Sequence, residues 1–343
     1  MAAAPLLQVI ALPRCPVARF VQVGRGLLAR MGQPDAQPAL VVAELTGQSL
    51  LLGRFQRRNS ALESARSNTE TSFEVLRRNG GGRTLLVGEG TAGVLLAVPE
   101  MGSLLDAPIA PEKVLNRYVR GLLAGLTRLG VPRGANYFGR DFISAQQQQV
   151  AVISQDNSAR AALFEAVVAV DKTLEVPKEQ IGYPEHGDPR AYGPPHVTLS
   201  NLCGRSISFE SFADAVAQGY SSVHGALVAR NDSLTLVEGE RLPVDEDEAG
   251  WSDSGSADIA IGFAEGLVRH RDDRVLEARL RGDFIAPAFA IEGLEKSLAG
   301  EVLDFEALGR KVDAAFHQPG ACLYGVRELR VFADAVLAAA GKL

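Results

Sequence analysis

The sequence predicts an α/β fold, a mixed sheet flanked by helices, followed by a small C-terminal α+β unit. Short apolar runs bounded by glycine and polar residues, among them 39–45, 49–55, 84–87 and 94–98, have the length and punctuation of strands. Between them stands one clear amphipathic helix, 111–129, with Val114, Leu115, Tyr118, Leu122, Leu126 and Leu129 on a single stripe. Pro111 opens it and Gly130 closes it. From about Arg274 the composition changes, and a strand followed by helical stretches marks a separate unit. The expected domains are therefore 1–272 and 273–343.

A chain of 343 residues suffices for one large domain and a smaller one. Hydrophobic residues at 46% and charged residues at 22% are ordinary for a globular protein in water. The net charge of -6 argues against non-specific nucleic-acid binding, which needs a basic surface. No apolar run reaches the roughly 18 residues of a membrane helix, so neither nucleic acid nor membrane is an expected partner. The alanine-rich N-terminus has no basic segment before its apolar run, which reads against a secretory signal. Cys15, Cys203 and Cys322 lie far apart in no metal-like spacing and read as reduced thiols of a cytoplasmic protein.

Taken in order, 17–31 suggests a helix closed by Gly32 and Pro34. The polar stretch 57–69 reads as a loop with some helix, and 72–77 and 84–87 read as strands flanking a glycine cluster. Gly88-Glu89-Gly90-Thr91-Ala92-Gly93 fits the dinucleotide pattern G-x-G-x-x-G, but that fingerprint needs a helix to open at the second glycine. Here an apolar strand follows, so a Rossmann unit is rejected. Residues 161–170 form another strand, 177–195 a long loop holding His186, and 208–218 a short helix stopped by Gly219. The acidic, turn-rich 238–258, with Asp245-Glu246-Asp247-Glu248 and Trp251, reads as a solvated loop. A helix is expected over 257–270, a strand over 278–284, and helices over 291–298, 305–316 and 327–340.

The stretch with the most chemistry is Leu76-Arg77-Arg78-Asn79-Gly80-Gly81-Gly82-Arg83. Three residues without Cβ let a backbone approach a ligand closely and adopt positive φ. Their N–H groups can converge on a phosphate or carboxylate, and arginine adds a planar fork of donors for the same oxygens. Arg54, Arg57, Arg58 and Arg66 enrich the same neighbourhood in positive charge. A Gly-rich turn with solvated arginines is the plain alternative.

Gly53-Arg54-Phe55-Gln56, followed by Arg77 with Gly80, Gly81 and Gly82, resembles the GRxQ and RRxSGGG hallmarks of the lipoate–protein ligase A family, within the biotin/lipoate ligase superfamily. Asn79 stands where that family usually has serine. Phe138-Gly139-Arg140-Asp141-Phe142-Ile143 is similar to its GRNDI strand end, and 161–171 to its HGTLLLDVD run without the His-Gly. Val197–Cys203 resembles an RVTNL segment, with His196 near its arginine. Gly282-Asp283-Phe284 and the helix through Leu294–Gly300 resemble the GDF strand end and helix of the family's accessory domain.

The resemblance implies a mixed-sheet biotin/lipoate ligase-like domain with a small accessory domain. It also implies ATP-dependent activation of lipoate or a related fatty acid to an acyl-adenylate, and transfer to a lysine of a lipoyl-carrier domain protein. Arg77, Gly80, Gly81 and Gly82 would then line the acyl and phosphate channel. Gly90 and Thr91 would face the nucleotide, matching the end of an HDxGN segment whose His-Asp pair is replaced by Leu86 and Val87. Mg²⁺ would be shared between phosphates and Asp141.

One departure bears on activity. The family's strand G-R-K-I/V-x-G carries a lysine that binds the acid's carboxylate and steadies developing charge. Here Gln149 takes that position, an amide without charge, and Lys172 and Lys178 lie beyond the next strand. The alternative function is thus a catalytically inactive relative that binds an acyl ligand, an adenylate or a carrier protein. Acyltransferase branches of the superfamily use a cysteine nucleophile, but Cys203 lies in a segment that is structural in the ligases and is expected to be a buried thiol.

Overall fold

The computed structural model describes residues 4–62, 73–105, 107–177, 193–231, 236–244, 251 and 255–342. Arg66, Lys178, His186 and the acidic run Asp245–Glu248 lie outside the described residues. The first unit is built on a seven-stranded mixed sheet. Its strands are β1 (Leu6–Pro16), β2 (Ala39–Thr46), β6 (Thr91–Val98), β7 (Phe142–Ala145), β8 (Gln148–Asn157), β9 (Ala162–Ala169) and β10 (Leu227–Arg230). They lie in the order β10-β1-β2-β6-β9-β8-β7, parallel at β10-β1-β2 and antiparallel beyond.

The central strands β2, β6 and β9 are almost continuously buried because helices cover both faces, which is why they read as unbroken apolar runs. On one face lie α3 (Val114–Arg128), after a 3₁₀ turn at Pro111–Lys113, and α5 (Phe209–His224). On the other lies α1 (Val17–Arg30) beside a small sheet of β3 (Gln48–Leu52), β4 (Glu74–Arg77) and β5 (Leu85–Gly88). Two short helices, α2 (Arg58–Ala61) and α4 (Leu199–Cys203), complete this unit.

The helix expected to stop at Gly219 instead runs through it to His224, where Gly225 caps it in the left-handed conformation (φ 60°). Gly219 marks a close helix crossing: a Cβ there would stand 2.3 Å from the Gly121 carbonyl oxygen of α3. A glycine whose role is to let two backbones meet reads, in one dimension, as a stop signal.

The second unit has an antiparallel sheet of β11 (Gly255–Ile259), β12 (Gly262–Arg271) and β13 (Arg274–Gly282). It carries α6 (Ala288–Leu298), α7 (Phe305–Phe316) and α8 (Val331–Ala339). The helix expected over 257–270 is therefore a β-hairpin. Its alternation of small and apolar residues satisfies period two once Gly262 turns the chain at φ 144°. The expected boundary at 273 falls within the ladder between β12 and β13, so the hydrogen-bonded sheet begins at Gly255. The last helix also starts later than expected, at Val331 rather than 327.

Candidate active site

The two glycine motifs interlock. Gly53 lies so close to the triplet that a Cβ on it would stand 1.8 Å from the Gly82 carbonyl oxygen. The Arg54 N–H donates to the Gly80 carbonyl at 2.9 Å. Gln56 folds back to accept from the Gly53 N–H at 2.8 Å and from the Thr84 hydroxyl at 2.9 Å. Its amide donates at 2.7 Å to Asp283 of the second unit. Burial pushes the Asp283 carboxyl up to about 7.

The triplet itself is buried and closely approached from two sides. A Cβ on Gly80 would stand 2.1 Å from Ser154 Oγ, and one on Gly81 would stand 2.1 Å from the Phe284 carbonyl oxygen. The Gly82 N–H donates to that same Phe284 carbonyl at 3.1 Å, so one of the three amides expected to cradle an anion is engaged by the second unit. The Ser154 hydroxyl donates to the Gly81 carbonyl at 2.8 Å. The Phe55 and Phe284 rings stack with centroids 4.9 Å apart, which seals the seam between the units.

Arg77 was expected at the acyl and phosphate channel. Each of its guanidinium nitrogens instead donates to main-chain carbonyls, those of Gly53, Arg54, Gln56, Pro243 and Val244. It ties the edge of the small sheet to the segment 236–244 and borders a cleft of about 360 Å³ shared with Arg54, Arg279 and Arg281.

Gly90 and Thr91, expected beside the nucleotide, form a tight turn into β6. The Thr91 hydroxyl donates to the Gly88 carbonyl and accepts from its N–H. The Gly90 carbonyl accepts from the N–H groups of Val170, Asp171 and Lys172. Lys172 itself is exposed.

Arg83, Asp141, Gln149 and His196 do converge. The β7–β8 hairpin turns at Gln146 and Gln147, both at positive φ, and delivers Gln149 into a buried position. Arg83 Nε donates to Asp141 Oδ2 at 2.7 Å, and Arg83 Nη2 donates to Gln149 Oε1 at 3.1 Å. The Gln149 amide donates to the Pro194 carbonyl at 2.6 Å. The Gln149 backbone bridges to that of His196, and burial together with the Arg83 charge pushes the imidazole down to about 4. Asp141 Oδ1 and His196 Nδ1 are both buried without a hydrogen-bond partner. A cation thus occupies the neighbourhood of the glutamine, donated by the residue after the glycines rather than by the hairpin strand.

Cys203 is half-buried rather than buried as expected; it donates to the Leu129 carbonyl, and desolvation raises its thiol pKa, the opposite of what a nucleophile needs. Asp283, which accepts from the Gln56 amide, is a site residue that the sequence alone did not single out. Its signal was available as a single charge just past the end of β13.

A mixed sheet with helices on both faces and a small α+β unit packed at its glycine triplet is the fold of lipoate ligases. Residues 21–221 match the lipoyl protein ligase A/B catalytic domain, and the chain belongs to that family. LipL1 of P. falciparum, solved in complex with lipoate, matches with a TM-score of 0.66 at 12% identity, covering 90% of this chain and 94% of that one. Protein Ta0514 of T. acidophilum with bound lipoic acid matches with a TM-score of 0.51 at 13% identity, over 66% of this chain and 89% of that one. A structure of the T. acidophilum bi-partite lipoate protein ligase and its E2 lipoyl domain matches with a TM-score of 0.51 at 14% identity, over 67% and 87% of the two chains. At these identities the likeness establishes the fold. No curated protein sequence matches the chain.

Proposed function

We propose that the chain binds a carboxylic acid of the lipoate or fatty-acid class and activates it with ATP. The carboxylate oxygen attacks the α-phosphorus and pyrophosphate leaves; a carrier-domain lysine then attacks the acyl carbon and AMP leaves. Membership of the lipoyl ligase family supports the substrate class and the lipoyl-carrier partner. The observation that carries the reading is Arg83. Its guanidinium lies on Gln149 and restores, from the loop between β4 and β5, the charge that the glutamine lacks. A preorganised cation in a dry site is worth far more to developing charge than one in water.

Gly80, Gly81 and Gly82 form the wall of the acid site in this reading, with Gly90 and Thr91 on the nucleotide side. Asp141, held by Arg83 through Oδ2, keeps an unpartnered Oδ1 that would hold Mg²⁺ shared with the ATP phosphates, where the ion would offset phosphate charge. Three free cysteines fit a reducing, cytoplasmic setting, and no described helix is long and apolar enough to cross a membrane.

A second reading, a binder that does not turn over, is favoured by one feature. Asp141 at 2.7 Å neutralises the Arg83 charge within the resting site. Incubation of the full chain with ATP, Mg²⁺, lipoate or octanoate and a lipoyl domain, read by intact mass, separates the two. An acylated lipoyl domain supports the ligase. Acid-dependent thermal stabilisation without acylation supports the binder, and neither result overturns both.

A further inference from the structure

The two edges of the main sheet end differently. At one end β7 is closed by Asn136, whose N–H donates to the Ser144 carbonyl at 2.7 Å and whose carbonyl accepts from the Ser144 N–H at 2.9 Å. At the other end β10 pairs, among the described residues, only with β1. The N–H groups of Leu227 and Asn231 donate inward to the carbonyls of Pro5 and Val9 at 2.9 and 3.1 Å. Alternation along the strand therefore turns the N–H and C=O of Val228 and Arg230 away from the sheet. Such an edge is a template for another strand, and natural edges are blunted by charge, proline or a bulge. Leu227-Val228-Ala229 has neither charge nor proline, and its register with β1 is unbroken.

The side chains around this edge are apolar and uncovered. Of the eight large apolar side chains that stand exposed among the described residues, four surround it: Leu6, Val223, Val228 and Leu227, the last 62% exposed. They lie on both faces. Val228 pairs with Leu7 and shares its side of the sheet, the side packed by α5, whose last turn carries Val223. Leu227 pairs with Leu6 on the opposite side. An apolar patch that wraps both faces of an open strand is covered by a strand laid alongside it, which also takes up the outward main-chain groups.

We propose that β10 is the interface of a two-fold dimer, in which β10 of a second copy lies antiparallel to it and the two sheets become one. A two-fold interface must match itself, and one register does so. With the axis at Val228, that residue faces its own mate as a hydrogen-bonded pair, each N–H donating to the other's carbonyl. The Val223 and Val228 side chains of both copies meet on one face, and Leu227 lies opposite Ala229 of the partner subunit on the other. Arg230, the only charge on the strand, comes opposite Ala226 of the partner subunit. In each copy Ala226 follows Gly225, the C-cap of α5, so the guanidinium meets the negative end of the other copy's helix. Asp214 of α5 holds Arg230 on that same face of the sheet. An axis at Ala229 would set Val228 against arginine, and one at Arg230 would set like charges face to face.

The test is sedimentation velocity of the full chain from low to high micromolar concentration, where the mass is expected to double as concentration rises. Val228→Lys sets two ammonium groups against each other at the axis and is expected to leave a monomer, its melting curve checking that it folds. Arg230→Glu is expected to weaken the dimer at least tenfold, and Arg230→Lys to retain it. Should the charge variants unfold, Val228→Cys decides: opposed Cα atoms of such a pair stand about 5.5 Å apart, within disulfide reach. Mild oxidation is expected to link two Val228→Cys chains and not two Leu276→Cys chains, whose altered residue is exposed elsewhere. A monomer at every concentration, a dimer that Val228→Lys leaves intact, or equal cross-linking of the two cysteine variants overturns the proposal.

Discussion

Arg83 Nη2 meets Gln149 Oε1 at 3.1 Å, joining the end of the glycine triplet to a hairpin strand 66 residues later. The contact is buried, and the same guanidinium holds Asp141 through Nε. An amide oxygen accepts a hydrogen bond from a cation without cancelling its charge, whereas a carboxylate does both. Gln149 therefore orients the guanidinium, and Asp141 sets how much of its charge is left for a ligand.

Moving the charge back to the strand should preserve function if the cation is what the site requires. Arg83→Gln is expected to weaken acid binding roughly tenfold or more, about 1.4 kcal/mol. The double variant Arg83→Gln with Gln149→Lys is expected to recover most of that loss. Titration of octanoate into the three proteins checks it, and a double variant as weak as the single one refutes it.

Arg77 is expected to matter for stability and not for ligand. Arg77→Lys leaves several of its five carbonyl partners without a donor and should destabilise the chain by about 2 kcal/mol, within the range for unsatisfied buried groups. Denaturant unfolding measures the loss. An unchanged midpoint accompanied by lost acid binding would return Arg77 to the channel.

Two glycine-to-alanine variants should move in opposite directions. Gly81→Ala drives a methyl to 2.1 Å from the Phe284 carbonyl oxygen, a clash of backbone with backbone. It should cost about 1–3 kcal/mol and loosen the seam between the units. Gly293→Ala, in α6 with nothing near its Cβ, should stabilise by about 0.5–1 kcal/mol. Melting temperatures of the two variants decide.

The seam should also respond to pH through Asp283. Its folded pKa, pushed up to about 7 by burial, exceeds the 3.8 of the free group, so the folded state binds more protons between those values. The contribution of Asp283 to stability is complete below about pH 4 and declines as pH rises through 7. Asp283→Asn does not titrate, so the advantage of the native chain over it should shrink between pH 4 and 8. His196, pushed down to about 4, works in the opposite direction and is common to both proteins. Denaturation midpoints across that range provide the measurement, and a constant difference counts against it.

Much of the architecture was legible in one dimension. The stripe of Val114, Tyr118 and Leu122 marks a helix because its period matches one buried face. The runs that became β2, β6 and β9 mark strands because a sheet covered on both sides needs no polar alternation. The rejection of a dinucleotide fold also followed from order alone, since Thr91 opens a strand. Over 257–270 small residues suit helix or strand alike, and only pairing with β13 and packing of α8 against the sheet choose between them.

The linear order of residues determined the family, the glycine triplet and the missing amine at position 149, because these are statements about which side chains exist and in what sequence. What the triplet faces, where Arg77 points and which cation reaches Gln149 were decided by the tertiary structure. Those relationships join segments tens to hundreds of residues apart, as Gly82 to Phe284 and Gln56 to Asp283 do. Local periodicity carries no record of such pairs; they exist only once burial has brought both partners out of water and left them each other to bond.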